Sequence, residues 1–494
     1  MVPVNNNCET KLAKIRPWDE GTPRITCPHI FGTKAGASTV FPITALGERP
    51  LKFTAEGLPE GLTLNENTGV ISGKTKKEAD GIVKITVQNG IGADSIKLRI
   101  IAGDNIALTP PLGWNSWNCF ALKVSDDKVR KAADAMVSSG LAAHGFTYIN
   151  IDDGWQGERG GEFNAIQANK KFPDMERLCD YVHSLGLRIG IYSTPWVKSY
   201  GNGNGCSDGE CERYFDKRNL DRGWYFGKNK YMKGEALQWA KWGFDYLKYD
   251  WHPWEVRDVK EMHDALKESG RDIAYSLSNS APFQDAVQWA GLANCWRTTG
   301  DITDTWESMS RIGFSQDRWT PYSMPGHWND PDMLVVGKLG WGDVRENRLT
   351  HDEQVTHITL WALLAAPLLI GCDLTQLDDF TLRLLCNDEV LSISQDMLGR
   401  QAHCLREIRE TDDDGNVVHH SSVYVRKLYS GNIAVGLFNR SEKSDTVSFT
   451  WKDLKINGRK RLRNVWANED IGNFDKEFAI GVPAHGAQFI LINM

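Results

Sequence analysis

The 494-residue sequence has no apolar run long enough to span a bilayer. The longest, Leu360 to Cys372, is short and is broken by Pro367. The opening residues Met-Val-Pro-Val-Asn-Asn-Asn contain no hydrophobic core of a secretion signal. Basic charge is not in excess. Lys and Arg number 57 against 64 Asp and Glu, giving a net charge of -7 and a pI near 6.0. That balance gives no electrostatic case for nucleic acid. The ten cysteines include no Cys-x-x-Cys pair, so the common metal spacing is absent. Cys206 and Cys211 share a Gly-rich loop and either form a local disulfide or stay free thiols, which leaves the redox compartment open. Tryptophan, by contrast, is abundant, at 19 residues. An indole face covers the apolar C–H face of a pyranose, although core packing accounts for the greater part of such residues.

The length calls for two or three domains. Residues 1 to about 25 look irregular. From Ile30 to Ala102 short alternating stretches, such as Val83, Ile85, Val87 and Ile96, Leu98, Ile100, are punctuated by Gly, Pro and Asn turns. They predict a small β-sandwich over 1–105, and the stretch from Pro50 to Gly73 resembles the immunoglobulin-like domains found beside bacterial glycosidase modules. It carries no catalytic constellation and reads as an accessory unit, packed on the rest or spacing it from a cell surface.

From 106 to 389 strands alternate with helices. The predicted strands are 112–117, 148–153, 188–193, 244–250, 274–278, 295–301, 327–334 and 368–373. Between them Ser125 caps a helix whose Val129, Ala132, Ala133 and Met136 follow the 3.6-residue period, and Thr350-His-Asp-Glu353 forms a capping box. A long polar loop, 194–230, interrupts the pattern. Eight strand-helix units predict a (β/α)8 barrel. From 390 to 494 alternation returns, in Val423, Val425 and in Val447, Phe449, Trp451, and predicts a C-terminal antiparallel β-sandwich.

In such a barrel chemistry sits at the C-terminal ends of the strands. Those ends carry Trp117, Asp152 with Asp153, Lys248 with Asp250, Arg297 with Asp301, and Asp330 with Asp332. Any one of them has an ordinary account as a cap or an ion pair. Five strand ends bringing charges to one face do not. A ring of carboxylates with an aromatic floor suits glycoside hydrolysis, which needs two carboxyl groups flanking the anomeric carbon. A divalent-metal site is the rival reading, and Lys248 and Arg297 inside the ring oppose it. His327 alone does not make a metal site, so no metal or cofactor is expected.

At these residues the chain resembles glycoside hydrolase family 27, the clan D α-galactosidases and α-N-acetylgalactosaminidases. The resemblance runs from about Thr109 to Gln395. It rests on Pro-Pro-Leu-Gly-Trp-Asn-Ser-Trp at 110–117, Ile-Asp-Asp-Gly-Trp at 151–155, Leu-Lys-Tyr-Asp at 247–250, Trp-Arg-Thr-Thr-Gly-Asp at 296–301 and Trp-Asn-Asp-Pro-Asp-Met-Leu at 328–334. It implies a retaining, double-displacement mechanism with Asp250 as nucleophile and Asp301 as acid/base. It further implies Trp117 lining the sugar, Asp152 and Asp153 on the 4- and 6-hydroxyls, Lys248 on ring hydroxyls, Arg297 near the 2-position and Asp332 beside the nucleophile. Asp250 is then expected ionised, and Asp301 protonated with a raised pKa. Where galactose-specific members carry Glu after strand five, this chain has Ser278 and then Ala281, small residues that leave room at the 2-position. Trp251-His-Pro-Trp254 and the loop 194–230 depart from the family pattern and are expected at the pocket rim. The resemblance implies release of terminal α-galactose from glycans. The alternatives are α-N-acetylgalactosaminidase, β-L-arabinopyranosidase and, in another class, a catalytically silent glycan-binding protein. The expected partner is carbohydrate, the expected location secreted or periplasmic.

Overall fold

The computed structural model describes residues 9–494. Part of the irregular lead-in, and Cys8, lie outside the described residues. At the centre are eight parallel strands: β1 Leu112–Asn115, β2 Tyr148–Asn150, β3 Arg188–Ser193, β4 Tyr246–Asp250, β5 Ala274–Ser278, β6 Cys295–Arg297, β7 Trp328–Asp330 and β8 Leu368–Ile370. They pair in sequence order, and β8 pairs back onto β1. The ring closes just past β7, where Leu334 N donates to Leu369 O at 2.8 Å and Gly371 N to Leu334 O at 3.0 Å. Strands covered on both faces read as continuous apolar runs, and nearly every strand residue here is buried. Inside the barrel side chains leave no room for a Cβ at Gly190, which would meet Asn150 Oδ1 at 2.1 Å.

The helices of seven residues or more are α1 Asp126–Ser138, α2 Met175–Ser184, α3 Met232–Trp242, α4 Val256–Glu268, α5 Ala286–Leu292, α6 Trp306–Gly313, α7 His351–Leu363, α8 Asp379–Leu385 and α9 Asp388–Ser394. The expected caps are present. Ser125 accepts from Lys128 N, and Thr350 and Glu353 form a full capping box. α7 is buried on every side because the barrel lies under it and the C-terminal sheet over it. Trp466 Nε1, in the turn after the strand Lys460–Asn464 of that unit, donates to Thr359 Oγ1 at 2.8 Å, and Arg426 Nη1 to Ala362 O at 2.6 Å. This explains the apolar stretch from Leu360 without any membrane; among the described residues no helix is long and apolar enough to cross one.

The strands are shorter than the sequence suggests. β1 stops at Asn115, so Trp117 opens a short helical turn, and β7 covers only 328–330. The loop 194–230 is not unstructured: Ser207–Arg213 pairs antiparallel with Phe226–Lys230. All-β structure begins at His403 rather than Val390, since α9 intervenes. Cys206 and Cys211 are both free thiols. Cys206 is buried against Ser193 and Cys211 is exposed.

Before the barrel, a four-stranded sheet (30–34, 93–103, 79–88, 52–56) faces a three-stranded one (39–42, 70–73, 62–64). It docks on the N-terminal end of the barrel. Asp272, just ahead of β5, accepts from Thr33 Oγ1 at 2.6 Å and Lys34 N at 3.0 Å, and Ser38 exchanges backbone hydrogen bonds with Gly270 and Asp272. The C-terminal unit is an antiparallel six-stranded sheet with a two-stranded ribbon, 445–450 against 477–482.

Candidate active site

At the opposite, C-terminal end of the barrel a pocket of about 280 Å³ opens. It is lined by Trp117, Asp152, Asp153, Lys248, Asp250, Arg297, Asp301 and Asp332, all expected from the sequence. Tyr192, Tyr200, Asn118, Asn279, Ile302, Met333 and Trp341 complete it. Tyr192 carries a legible signal, since it stands near the C-terminal end of β3, where side chains of a barrel strand reach the pocket. Tyr200 and Trp341 come from loops, and nothing in their local pattern marks them.

Asp250 ends β4, where the run Tyr246–Asp250 leaves the core. Each of its oxygens takes one protein donor: Tyr192 OH to Oδ2 at 3.0 Å and Asn279 Nδ2 to Oδ1 at 2.8 Å. Burial pushes the carboxyl up to about 6, Lys248 opposes the rise, and Asp301 and Asp152 add to it. Lys248 Nζ lies 2.8 Å from Asp152 Oδ2. Burial would lower Lys248, but Asp152 and Asp250 outweigh it and hold the ammonium charged.

Asp153 is fixed by the loop after β3. Ser199 Oγ donates to Oδ1 at 2.9 Å, Gln156 Nε2 to Oδ1 at 2.9 Å, and Gly201 N to Oδ2 at 2.7 Å. Its carboxyl lies above the usual range because burial outweighs these donors.

On the other wall Arg297 Nη2 bridges Asp301 Oδ1 at 3.0 Å and Asp332 Oδ2 at 2.9 Å. Asp332 also accepts from Ile302 N and Met333 N, both at 2.8 Å, and its backbone is held at φ 92°, in the left-handed region. Burial raises Asp332 to about 7 despite Arg297, with Asp301 and Asp330 contributing. For Asp301 the raised pKa expected from the sequence does not hold. Partial burial would raise it, but Arg297 and Lys248 outweigh that and bring it below its ordinary value. Its side chain is 71% exposed, so water as well as Arg297 stabilises the anion. Asp250 departs from expectation in the other direction, for it is buried and Lys248 offsets only part of the cost.

Two further expectations change. Ser278 is buried at the end of β5 and does not line the pocket; its carbonyl accepts from Trp254 Nε1 at 3.1 Å, and Asn279 lines the wall instead. Trp251 and Trp254 are buried behind β4 and do not line the pocket, whereas the loop 194–230 does line it, through Tyr200. Among the described residues no group of three or more His, Cys, Asp or Glu is arranged to hold a metal ion. His327 instead has Nδ1 3.3 Å from Ala293 O.

Residues 109–396 match the family model described as Alpha galactosidase A. The chain belongs to this α-galactosidase family, glycoside hydrolase family 27, and is a glycosidase of a retaining family. Residues 419–492 match the α-galactosidase C-terminal β-sandwich domain, and residues 22–100 an Ig domain. Among family members, α-galactosidase 2 of Arabidopsis thaliana is 36% identical over 405 residues, 80% of this chain and 92% of its own. α-Galactosidase A of Cellvibrio japonicus is 36% identical over 78% of this chain and 91% of its own. The solved structure of a candidate α-galactosidase/melibiase from Bacteroides fragilis is 32% identical. It covers 97% of this chain and 99% of its own with a TM-score of 0.84. A β-L-arabinopyranosidase from Geobacillus stearothermophilus is 29% identical over 78% of this chain, with a TM-score of 0.67.

Proposed function

We propose that this glycosidase removes terminal α-linked galactose, with Asp250 as nucleophile and Asp301 as acid/base. The observation that carries the choice of sugar is the carboxylate pair at the end of β2. Asp152 is held by Lys248 and Asp153 by the 199–201 turn, and both face the pocket. A carboxylate has about four acceptor sites. Asp152 and Asp153 keep sites free after their protein partners are counted, which suits the 4- and 6-hydroxyls of galactose. β-L-Arabinopyranose has no 6-carbon and would leave one of these carboxylates without its ligand. The N-acetylgalactosaminide reading loses its support with Ser278 outside the pocket wall.

In the first step Asp250 attacks the anomeric carbon while the bond to the leaving oxygen breaks and Asp301 protonates that oxygen; in the second, water attacks the anomeric carbon, the bond to Asp250 breaks and Asp301 takes the water's proton. Asp250 has Tyr192 and Asn279 to stabilise its anion, and Lys248 beside it. Asp301 reaches its acid form when a leaving group shields it from solvent, because the charged form then loses its water. Arg297 and Asp332 hold Asp301 in place, and Trp117 floors the sugar. The Ig-like unit beside the barrel supports a secreted or periplasmic location. A division into 1–105, 106–389 and 390–494 has the support of matches over 22–100, 109–396 and 419–492, with α9 lying across the second boundary.

A panel of p-nitrophenyl glycosides tests the function. The α-galactoside should be cleaved fastest, with α-galactose the first anomer seen by NMR. No release from the α-galactoside, or β-galactose as first product, contradicts the proposal.

A further inference from the structure

One residue of the pocket wall is held in a conformation that its size disfavours. Trp341 has φ 52°, in the left-handed region, where a bulky side chain is an outlier. Such strain persists only where the surroundings fix it, and it gathers at ligand sites. Here three successive backbone N–H groups are tied to the turn after β1: Gly340 N and Trp341 N donate to Asn118 O at 2.9 and 2.7 Å, and Gly342 N to Cys119 O at 3.0 Å. Lys123 Nζ donates to Gly342 O at 3.1 Å and to Asp343 Oδ1 at 2.6 Å. The base of the same loop is tied to the segment that carries Asp301. Asp304, three residues further on and fully buried, accepts from Arg345 Nη1 and Arg348 Nη2, both at 2.7 Å. All of these ties run through backbone or through other side chains. The indole of Trp341 is itself half-buried and lines the pocket.

Burial separates the floor of this pocket from its mouth. Asp152, Asp153, Asp250 and Asp332 are buried, whereas Asp301 is exposed and marks the mouth. Trp341 and Tyr200 are half-buried and come from loops that continue beyond the ends of β7 and β3. The Tyr200 ring is fixed edge-on by Trp224, with centroids 4.8 Å apart, and by Trp196, at 5.3 Å. Its hydroxyl has no hydrogen-bond partner among the described residues, and the two carboxylates whose charge reaches it are Asp250 and Asp301. We infer that Trp341 and Tyr200 form the site of the leaving group and that the group they take is a second pyranose, so that the substrates are galactosyl oligosaccharides. The inference rests on the reading of the galactose site given above. A pyranose offers an apolar C–H face to the indole and hydroxyls to the phenol, which both donates and accepts. An alkyl chain would leave the phenol without a partner. A ring seated at the mouth also covers Asp301, and that shielding is what its acid form requires.

The test compares kcat/KM for melibiose, whose leaving group is glucose, with that for methyl α-galactoside. Both need a proton from Asp301, but the second has no ring beyond the reacting bond. Glycine adopts φ 52° without the Cβ penalty, so Trp341→Gly removes the indole and should fold. In it the melibiose-to-methyl ratio should fall about tenfold, the order expected for one apolar contact face returned to water. The inhibition constant of free galactose should stay as in the wild type. Trp341→Phe keeps a ring face and should restore most of the ratio. Tyr200→Phe leaves the loop after β7 untouched and should lower the same ratio several-fold, the size of one lost hydrogen bond. It decides the matter if the glycine variant does not fold. A residue that only supported the barrel or Asp301 would slow both substrates alike, so an unchanged ratio overturns the inference. Weaker galactose inhibition with an unchanged ratio would place Trp341 on the galactose instead, and overturns it too. A wild type inert towards both substrates overturns the proposed function and this inference with it. An active wild type whose ratio survives the substitutions overturns the inference alone.

Discussion

Asp250 is a compromise between charge and burial, and its titration is the residue-scale consequence. With the carboxyl pushed up to about 6, attack requires pH above that value, so kcat/KM should fall off on an acidic limb near pH 6. Tyr192 donates to the ionised form, so Tyr192→Phe should move the limb upward and lower kcat/KM at pH 6 several-fold. A pH–rate profile checks both, and a limb that stays in place removes Tyr192 from this role. Stability carries the opposite sign. The folded pKa lies above the ordinary 3.8, so the protonated form favours the fold; that contribution is whole below about 3.8 and lost once pH passes about 6. The difference corresponds to about 3 kcal/mol. Asp250→Asn should therefore be inactive yet melt higher than wild type at pH 7, with the gap closing below pH 4, as differential scanning calorimetry would show. Asp301→Ala should lower kcat/KM about 10²–10⁴-fold on a galactosyl disaccharide, and much less on a substrate whose leaving group needs no proton.

At the scale of single elements, the turn after β3 decides how well Asp153 is held. Ser199→Ala removes one of its donors and leaves a buried carboxylate less satisfied. The expected loss is about tenfold in kcat/KM for the α-galactoside. It should be smaller for a β-L-arabinopyranoside, which has no 6-hydroxyl to lose; equal losses would place Asp153 elsewhere. The sequence shows why such elements resist reading. Strand ends were legible because a charge closing an apolar run is unusual, and β2, β4, β6 and the segment after β7 each carried that mark. α1 and α7 were legible through Ser125 and the Thr350–Glu353 box. Ser199, Gly201 and Tyr200 sit in a polar loop whose pairing depends on residues far along the chain, so their composition says only that they are surface. The strand-like pattern points to Ser278 and not to Asn279, because the left-handed kink that turns Asn279 into the pocket leaves no trace in it. The lowered pKa of Asp301 is hidden from the sequence for a related reason: burial at a strand end is legible, but the reach of Arg297 and of solvent is three-dimensional.

On the scale of the whole molecule, the Ig-like unit and the pocket occupy opposite ends of the barrel, so docking and catalysis should separate. The contact centres on Asp272, which is buried and accepts from Thr33 Oγ1 and Lys34 N while its own N–H donates to Ser38 O. Asp272→Ala would strand the Thr33 hydroxyl and the Lys34 amide in the interface, at a cost of about 1–3 kcal/mol for each group left without a partner. The side chain does not line the pocket, and the strand it precedes is held on both sides by β4 and β6. The variant should therefore keep its kcat/KM at 25 °C. It should melt several degrees lower, and a protease should cut it sooner in the connection around Asp104 and Asn105, where chain leaves the small sandwich for β1. Limited proteolysis and a parallel assay on one preparation decide the matter. Loss of activity with the connection still protected would mean that the docked domain acts on the pocket through the barrel, and that the two ends are not independent.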